Sequence, residues 1–532
     1  MAGRKSLESW KEISGHLGRS VKTCQRWERE FELPIHRFEG TAKSRVWAVV
    51  DELESWIKDK FHLAAASEPV RSLAVLPLRN LTGDPSLDPI AEGLTEALIT
   101  EIGQVRDFRV ISHQSTRQFA ATKLPLPEIA RILHIDAIIE GAVLEAGERI
   151  RMTANLVKAV PERHLWAHDY ECCRSELTGI QREIARAVAR EAGVELSPGE
   201  EARLSGRRDV VSEAYDLYLR GKAALRRSFI QFDIERALNH YEKAVAVDPG
   251  FAAAWAELAW CHGQLGFHSF VAPSEAFVRQ KEAAARALGL DPLLAEAHTM
   301  LGFHSFASDW DWPGAELHLK RALELNPSSF WANTYSVWFM TCTGKHEKAD
   351  EIRAQLLAID PLNPENHWTL GWAYFWAKRH DDAIATFSRL LEQAPDDHWL
   401  RMARGANYSF KNLHEEAIRD CDLARSGVPV GLDIVFELFI AYCFARAGLP
   451  ERAHDTLKKW DEIVKERPID PIAYTAVHLG LGNEEKGLEY LERGYEERRP
   501  WMVYAKVAPF YDSIRGEPRF RKLLKKMNFP ES

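Results

Sequence analysis

Ser20, Lys22, Thr23, Gln25, Arg26 and Arg29 place six hydrogen-bonding side chains within ten residues, and Arg19, Lys43 and Arg45 add three cations close by. Side chains of this kind grip anions: guanidinium and ammonium groups pair with phosphate oxygens, and Arg and Gln reach the acceptor edges of bases in a major groove. A second set is aromatic: Trp260, Phe303, Trp338, Trp368, Trp372 and Tyr442 recur through the second half of the chain. Their chemistry is recognition, since buried aromatic anchors dominate the energetics of protein contacts. Residues for bond-making are missing from the pattern. The seven cysteines (Cys24, Cys172, Cys173, Cys261, Cys342, Cys421 and Cys443) form no CxxC pair, which argues against a zinc site and a disulfide framework alike. His262, His298, His304 and His367 fall on repeat helices, where structural roles are expected. The loop Asn80 to Pro85 holds one glycine and no lysine, so it is no phosphate loop. Asp84 and Glu92 are better read as a turn aspartate and a helix-start glutamate than as a catalytic pair. The chain is therefore expected to be no enzyme, with no catalytic residue, no metal and no cofactor.

The cationic set needs a helix to present it. Ser9 can cap a first helix, with Glu12 completing a capping box, and that helix puts Trp10, Ile13 and Leu17 on one face. Gly18 ends it and Ser20 caps the next. Cys24, Trp27 and Phe31 recur at helical spacing and turn inward, so Lys22, Thr23, Gln25, Arg26 and Arg29 look outward. Pro34 breaks the chain; His36–Phe38 and Arg45–Val49 then pair as a hairpin around Gly40, with Lys43 and Arg45 at its tip. Asp51 caps a closing helix with Leu53, Trp56 and Ile57 inward. The run W-K-E-I-x-x-x-L-G-R-S-V-K-T-x-Q-R-W-E-R-E resembles the MerR/excisionase-type winged helix–turn–helix over about 50 residues. The resemblance implies that Ser20 to Arg29 is the major-groove helix and that Lys43–Arg45 is the wing tip. Glu28 and Glu30 lie close to that face, and a protein-docking role for the head is the alternative. Specific sites are commonly read by dimers; no coiled coil is evident, so any homodimer must form through the later domains.

Charge is distributed to match. Residues 1–50 hold ten Lys and Arg against six Asp and Glu, an excess of four, while the whole chain of 532 residues carries −9, leaving −13 for the remainder. A basic head on an acidic body is the asymmetry expected when only the head meets a polyanion. The longest apolar stretch, Ile434 to Ala447, is short and interrupted by Glu437 and Arg446, so no membrane span is expected. The N-terminus has no apolar core, so the expected location is cytoplasmic.

After a linker at 63–71, residues 72–196 read as strand and helix in the order β-α-β-α-β-β-β-α, one α/β sandwich domain. The strands include 72–78, 108–112 and a hairpin around Gly147, and Leu177 to Val194 is the closing helix. The runs S-L-A-V-L-P-L-R-N-L-T-G-D-P, A-E-G-L-T-E-A-L-I-T, E-G-A-V and L-W-A-H-D-Y resemble the TolB amino-terminal-like domain. That family recurs between N-terminal signalling domains and repeat arrays, and brings no settled chemistry.

A second linker at 197–211 leads to residues 212–532. Ala315, Ala349, Ala383 and Ala417 are spaced by 34, as are Pro327, Pro361 and Pro395. That period predicts stacked helix–turn–helix units and resembles the TPR family. About eight repeats fit, and residues 501–527 read as a C-terminal cap with a basic helix. With the phase fixed, Trp260, Phe303, Trp338, Trp372, Ala406 and Tyr442 follow the small position of each first helix and are expected on the concave side, with Trp368 one turn before Trp372. They predict a groove for a protein or peptide partner; the alternative is that they pack between helices or under the cap. The sequence thus predicts a multidomain, mainly α chain: a winged helix–turn–helix at 1–62, the α/β domain, then a TPR α-solenoid. Its expected function is a transcriptional regulator binding double-stranded DNA, with a non-DNA-binding scaffold in bacterial signalling as the alternative.

Overall fold

Ser9 starts the first helix by accepting the Glu12 amide on its Oγ at 3.2 Å. The computed structural model describes residues 6–17, 20–31, 33–37, 46–53, 56, 70–146, 149–205, 209–225, 231–426, 434–465 and 469–530, and it divides into two compact units between Pro69 and Val70. The first contains β1 (Ser6–Leu7), α1 (Trp10–His16), α2 (Val21–Phe31), β2 (His36–Arg37) and β3 (Val46–Val49). The Glu12 carboxylate reaches the Glu8 amide at 2.8 Å instead of the Ser9 amide, so the expected capping box is shifted by one residue. Ile13 and Cys24 are fully buried, and Leu33, Val46, Ala48, Leu53 and Trp56 complete a small core that Trp10, Leu17 and Trp27 flank. The expected hairpin pairs as His36↔Trp47 and Arg37↔Val46. On its far side β3 also pairs with β1, a strand the sequence does not announce, because two residues carry no period.

The second unit opens with β4 (Ser72–Val75), β5 (Arg79–Asn80), α3 (Asp88–Ile102), β6 (Arg109–Val110), α4 (His113–Arg117), α5 (Leu126–Leu133), β7 (Ala137–Ala146), β8 (Arg149–Lys158), β9 (Arg163–Cys173), α6 (Leu177–Glu191) and α7 (Pro198–Ser205). The sheet order is β6-β4-β7-β8-β9, with β4 parallel to both neighbours and β7, β8 and β9 an antiparallel meander. Alternation along β4 divides the core: Leu73 and Val75 join the cluster that holds Leu94, Leu98, Ile184 and Val188 of α3 and α6, and Ala74 joins Ile129 and Leu133 of α5. β7 and β8 approach so closely at Gly141 that a Cβ there would lie 2.1 Å from the Thr153 carbonyl.

Eight helix pairs follow among the described residues: Ser212–Ala224 with Gln231–Val247, Ala252–Phe267 with Pro273–Leu290, Ala295–His304 with Trp312–Leu325, Phe330–Cys342 with His346–Ile359, Pro364–Trp376 with His380–Gln393, His398–Phe410 with His414–Arg425, Ile434–Arg446 with Pro450–Ile463, and Pro471–Gly480 with Glu484–Glu496. The 34-residue alanines lie in the second helices and are buried. Small residues in the first helices admit their neighbours: a Cβ on Gly371 would sit 2.4 Å from the Phe387 ring, and one on Gly302 2.7 Å from Leu319. The chain ends with turns at Pro500–Tyr504 and Pro509–Ile514 and the helix Pro518–Lys526. Among the described residues no helix is long and apolar enough to cross a membrane.

Two expectations about organisation change. The stretch 197–211 is no bare linker: α7 buries Leu204, and Glu200 accepts the Arg106 amide at 2.7 Å. Nor are the α/β region and the solenoid separate bodies, because they share one apolar core. Gly93 of α3 leaves room for Leu219 of the first repeat helix, and the Tyr215 hydroxyl donates to Gln181 at 2.7 Å. Ser112 and Ser115 both donate to the buried Asp360 carboxylate between the fourth and fifth pairs. Sequence periodicity reports each element's own face and is silent on which faces merge.

Asp470 caps the eighth pair, accepting the Ile472 amide at 2.9 Å. Burial pushes its carboxyl up to about 6, against the opposing pull of that amide and of Arg499. A raised carboxyl pKa means that stability is present at low pH and is lost as pH rises through about 6. Asp470→Asn, which keeps the capping oxygen, is expected to flatten thermal stability between pH 4 and 7 and to stabilise the chain at pH 7 by about 1 kcal/mol. Melting curves across that range test it.

Candidate functional site

α2 is built to hold one face still and show the other. Ser20 accepts the Thr23 amide at 3.1 Å and fixes its first turn. Cys24 is fully buried, its thiol pushed up by burial, and Trp27 lies 5.8 Å from Trp56. Lys22, Gln25, Arg26 and Arg29 are exposed and Thr23 is half-buried. At 3.6 residues per turn those four exposed residues share an arc of about 100°, centred opposite Cys24 and Trp27. Arg29 holds its direction by donating from Nε to the Gln25 carbonyl at 3.3 Å. Glu28, beside this face, is paired to Arg37 of β2 at 2.6 Å, which offsets its charge; the side chain of Glu30 lies outside the described residues. Arg19, Lys43 and Arg45 lie outside the described residues, as do Phe38, Gly40 and Ile57.

The aromatic row requires a correction. Trp260, Phe303 and Tyr442 are buried, and Trp338, Trp368 and Trp372 are half-buried. The first helices of alternate pairs touch across the concave side: Trp260 lies 5.0 Å from Trp331, Phe267 5.5 Å from Trp338, and Trp372 4.8 Å from Phe439. Phe303 stacks on Tyr335 at 4.4 Å, Trp368 meets Trp399 at 6.0 Å and Tyr442 stacks on Phe410 at 5.2 Å. Chain from the C-terminal end then packs over them, with Trp501 on Phe267, Tyr504 stacked on Trp376 at 4.2 Å and Phe510 beside Tyr442. Ala406, the small member of the row, is also buried. The row is an internal seam, not the lining of an open groove. Rings beside the small position of most first helices were legible; the tight winding that brings alternate pairs together was not. The aromatic run at 501–511 was the available signal.

The remaining candidates have structural partners. Asp84 accepts the Ser86 amide at 2.8 Å and Glu92 pairs with Arg117 at 3.1 Å. His298 and His318 face each other at 3.0 Å between their Nδ1 atoms, and burial pushes both below the usual imidazole range. Among the described residues no group of three or more His, Cys, Asp or Glu side chains is arranged to hold a metal ion.

Comparison with known proteins agrees with the helix pairs. Residues 343–405 match the tetratricopeptide repeat family. A putative adenylate cyclase 3 of Rhizobium meliloti is 30% identical over 235 residues, covering 43% of this chain and 38% of the relative. Transcriptional regulator HilA of Salmonella typhimurium is 26% identical over 262 residues, covering 48% of this chain and 45% of the relative. The chain thus spans less than half the length of these curated relatives. Among solved structures, a thermophilic TPR protein of Thermus thermophilus is 21% identical, covering 36% of this chain and 98% of that one with a TM-score of 0.31. The C-terminal region is a TPR-like solenoid.

Proposed function

We propose that this chain is a transcriptional regulator in which a winged helix–turn–helix of MerR type lays α2 in the major groove of double-stranded DNA, and in which the solenoid binds a protein partner. The carrying observation is the division of α2: Cys24 and Trp27 held from behind, Lys22, Gln25, Arg26 and Arg29 in water on the opposite arc. Those donors suit phosphates and base acceptors, whereas a protein-docking helix of this kind would carry exposed apolar anchors. The partial similarity to a transcriptional regulator supports the same reading. The α/β region, resembling the TolB amino-terminal-like domain, links head to solenoid and carries no catalytic role. With the aromatic row engaged internally, the second helices of the first three pairs, where Phe232, Val278 and Leu317 are exposed, offer one surface to a partner.

The test is duplex binding by the full chain, monitored by anisotropy on genomic fragments at 50 and 200 mM salt. Affinity is expected to fall steeply with salt. Arg26→Ala is expected to weaken binding by about tenfold and to lower the salt slope by about 1, without unfolding the head. Absence of duplex binding at the lower salt would leave the scaffold reading in its place.

A further inference from the structure

The helix Pro518–Lys526 near the chain end holds five cations and no acid in nine residues, on a chain whose net charge is −9. Its apolar face is engaged: Phe520, Leu523 and the following Met527 are buried, and Phe520 lies 5.6 Å from the Tyr511 ring. Arg519 is engaged too, donating to both oxygens of Glu492 at 2.9 and 2.6 Å and to Glu485 at 2.7 Å, all on the eighth pair. Arg521, Lys522, Lys525 and Lys526 are exposed. At 3.6 residues per turn these four share an arc of about 140°, and no apolar residue of the helix falls within it.

The needs of the fold do not account for this arc. Arg521 donates to the Gly516 carbonyl at 2.7 Å and Lys526 lies 5.0 Å from the centre of the Tyr495 ring. Lys522 and Lys525 make no hydrogen bond or ion pair among the described residues. Glu492, the acid that Lys522 and Lys526 act on, is already gripped by Arg519, and Glu517 stands at the helix start without capping it. Lys525 and Lys526 suit the last turn, where cations meet the carbonyl end of the helix dipole. Arg521 and Lys522 stand nearer the amide end, and the first turn carries no acid to balance them.

We infer that the arc of Arg521, Lys522, Lys525 and Lys526 is a sequence-independent contact for the phosphate backbone of double-stranded DNA. A nine-residue helix is about 13 Å long, and over that length one strand of a duplex presents about four phosphates. Four cations therefore face a matching row of anions. Other polyanions fit less well. A lipid surface takes a basic amphipathic helix by its apolar face, and here that face is packed against the solenoid. An acidic protein surface would be held by apolar anchors among the charges, and the arc offers none. Phosphates ask only for exposed cations on a rigid element. The contact is independent of whether the head binds DNA.

Binding of the full chain to a random-sequence duplex at about 50 and about 200 mM salt tests it. The triple variant Arg521→Gln, Lys522→Gln, Lys525→Gln is expected to weaken binding at the lower salt by about tenfold and to reduce the salt slope by about 2 to 3, since each lost phosphate contact removes about 0.9. Lys522→Arg with Lys525→Arg keeps the charge and is expected to bind within about twofold of the wild type. The duplex is also expected to slow acetylation of Lys522 and Lys525, read by mass spectrometry, in the wild type and in Arg26→Ala alike. Lys243 of the first pair, which is exposed, is expected to react at its free rate. If Arg26→Ala leaves binding intact and the triple variant does not, the inference stands and the head reading fails. Unchanged affinity and slope in the triple variant, or acetylation of Lys522 and Lys525 that duplex does not slow, would each overturn the inference. So would protection by phosphatidylserine vesicles or polyglutamate but not by duplex, which would assign the arc to a membrane or to an acidic protein.

Discussion

Trp312→Ala is expected to cost about 4 kcal/mol of stability, the range for truncating a large buried aromatic. Trp312 opens the second helix of the third pair and is 2% exposed. Its indole N–H donates to the Met527 carbonyl at 2.8 Å, and its ring stacks on Phe529 at 4.5 Å. The substitution therefore empties an aromatic volume and also releases a hold on the C-terminal segment. Nearby, Trp310 stacks on Tyr495 at 5.2 Å beneath Arg498, so the same seam joins the third pair to the eighth. Chemical denaturation should show a lower midpoint, and limited proteolysis should cleave first between residues 500 and 530. Trp312→Phe, which keeps the ring but not the donor, should recover most of the loss. An unchanged proteolysis pattern in Trp312→Ala would show that the segment is held elsewhere.

The second large effect is expected at Lys222, buried where α3 and the first two helix pairs meet. Its ammonium lies 3.0 Å from Glu96 of α3 and 2.7 Å from Glu257 of the second pair, above the Tyr218 ring at 5.4 Å. Burial alone would push the lysine down, but Glu257 and Glu96 more than offset it and hold it well above its ordinary value. Burial likewise works to raise Glu96, and Lys222 with His113 brings it below the usual carboxylate range. Lys222→Met leaves two carboxylates facing each other without a cation. Removing one partner of a buried pair costs about 3–5 kcal/mol, and the lower figure applies because the Glu96 side chain is a third exposed. The companion variant Glu96→Gln with Lys222→Met and Glu257→Gln should regain most of that loss, since no charge is then stranded. Glu96 has a depressed pKa, so its contribution is present at neutral pH and fades as pH falls through that lowered value. If the triple variant is no more stable than Lys222→Met, the charges are not what binds the α/β region to the repeats.

The division between what residues announced and what they withheld follows the range of the interaction. Cys24 and Trp27 at helical spacing behind Lys22, Arg26 and Arg29 are local facts, and so are the 34-residue alanines. The two-residue strand β1 has no period, and α4 spans barely a turn. The helix at 198–205 begins Pro-Gly-Glu-Glu, a composition that reads as linker until Glu200 finds the Arg106 amide. The aromatic row was read with the correct face and the wrong neighbour: its direction follows from helix geometry, but contacts such as Trp372 with Phe439 depend on how tightly the repeats wind, a sum over many small inter-helix angles. Asp360 shows the same limit, since no spacing rule links it to Ser112 and Ser115 far earlier in the chain.

The covering of the aromatic seam by residues 501–510 has a consequence for biosynthesis. All eight helix pairs emerge from the ribosome before the segment that shields Phe267, Trp376 and Tyr442 does. For that interval the nascent solenoid presents a sticky interior, and any message truncated ahead of codon 500 would fix it in that state. Such a product would keep its regular backbone and still be recognised as damaged by the cell's quality-control machinery.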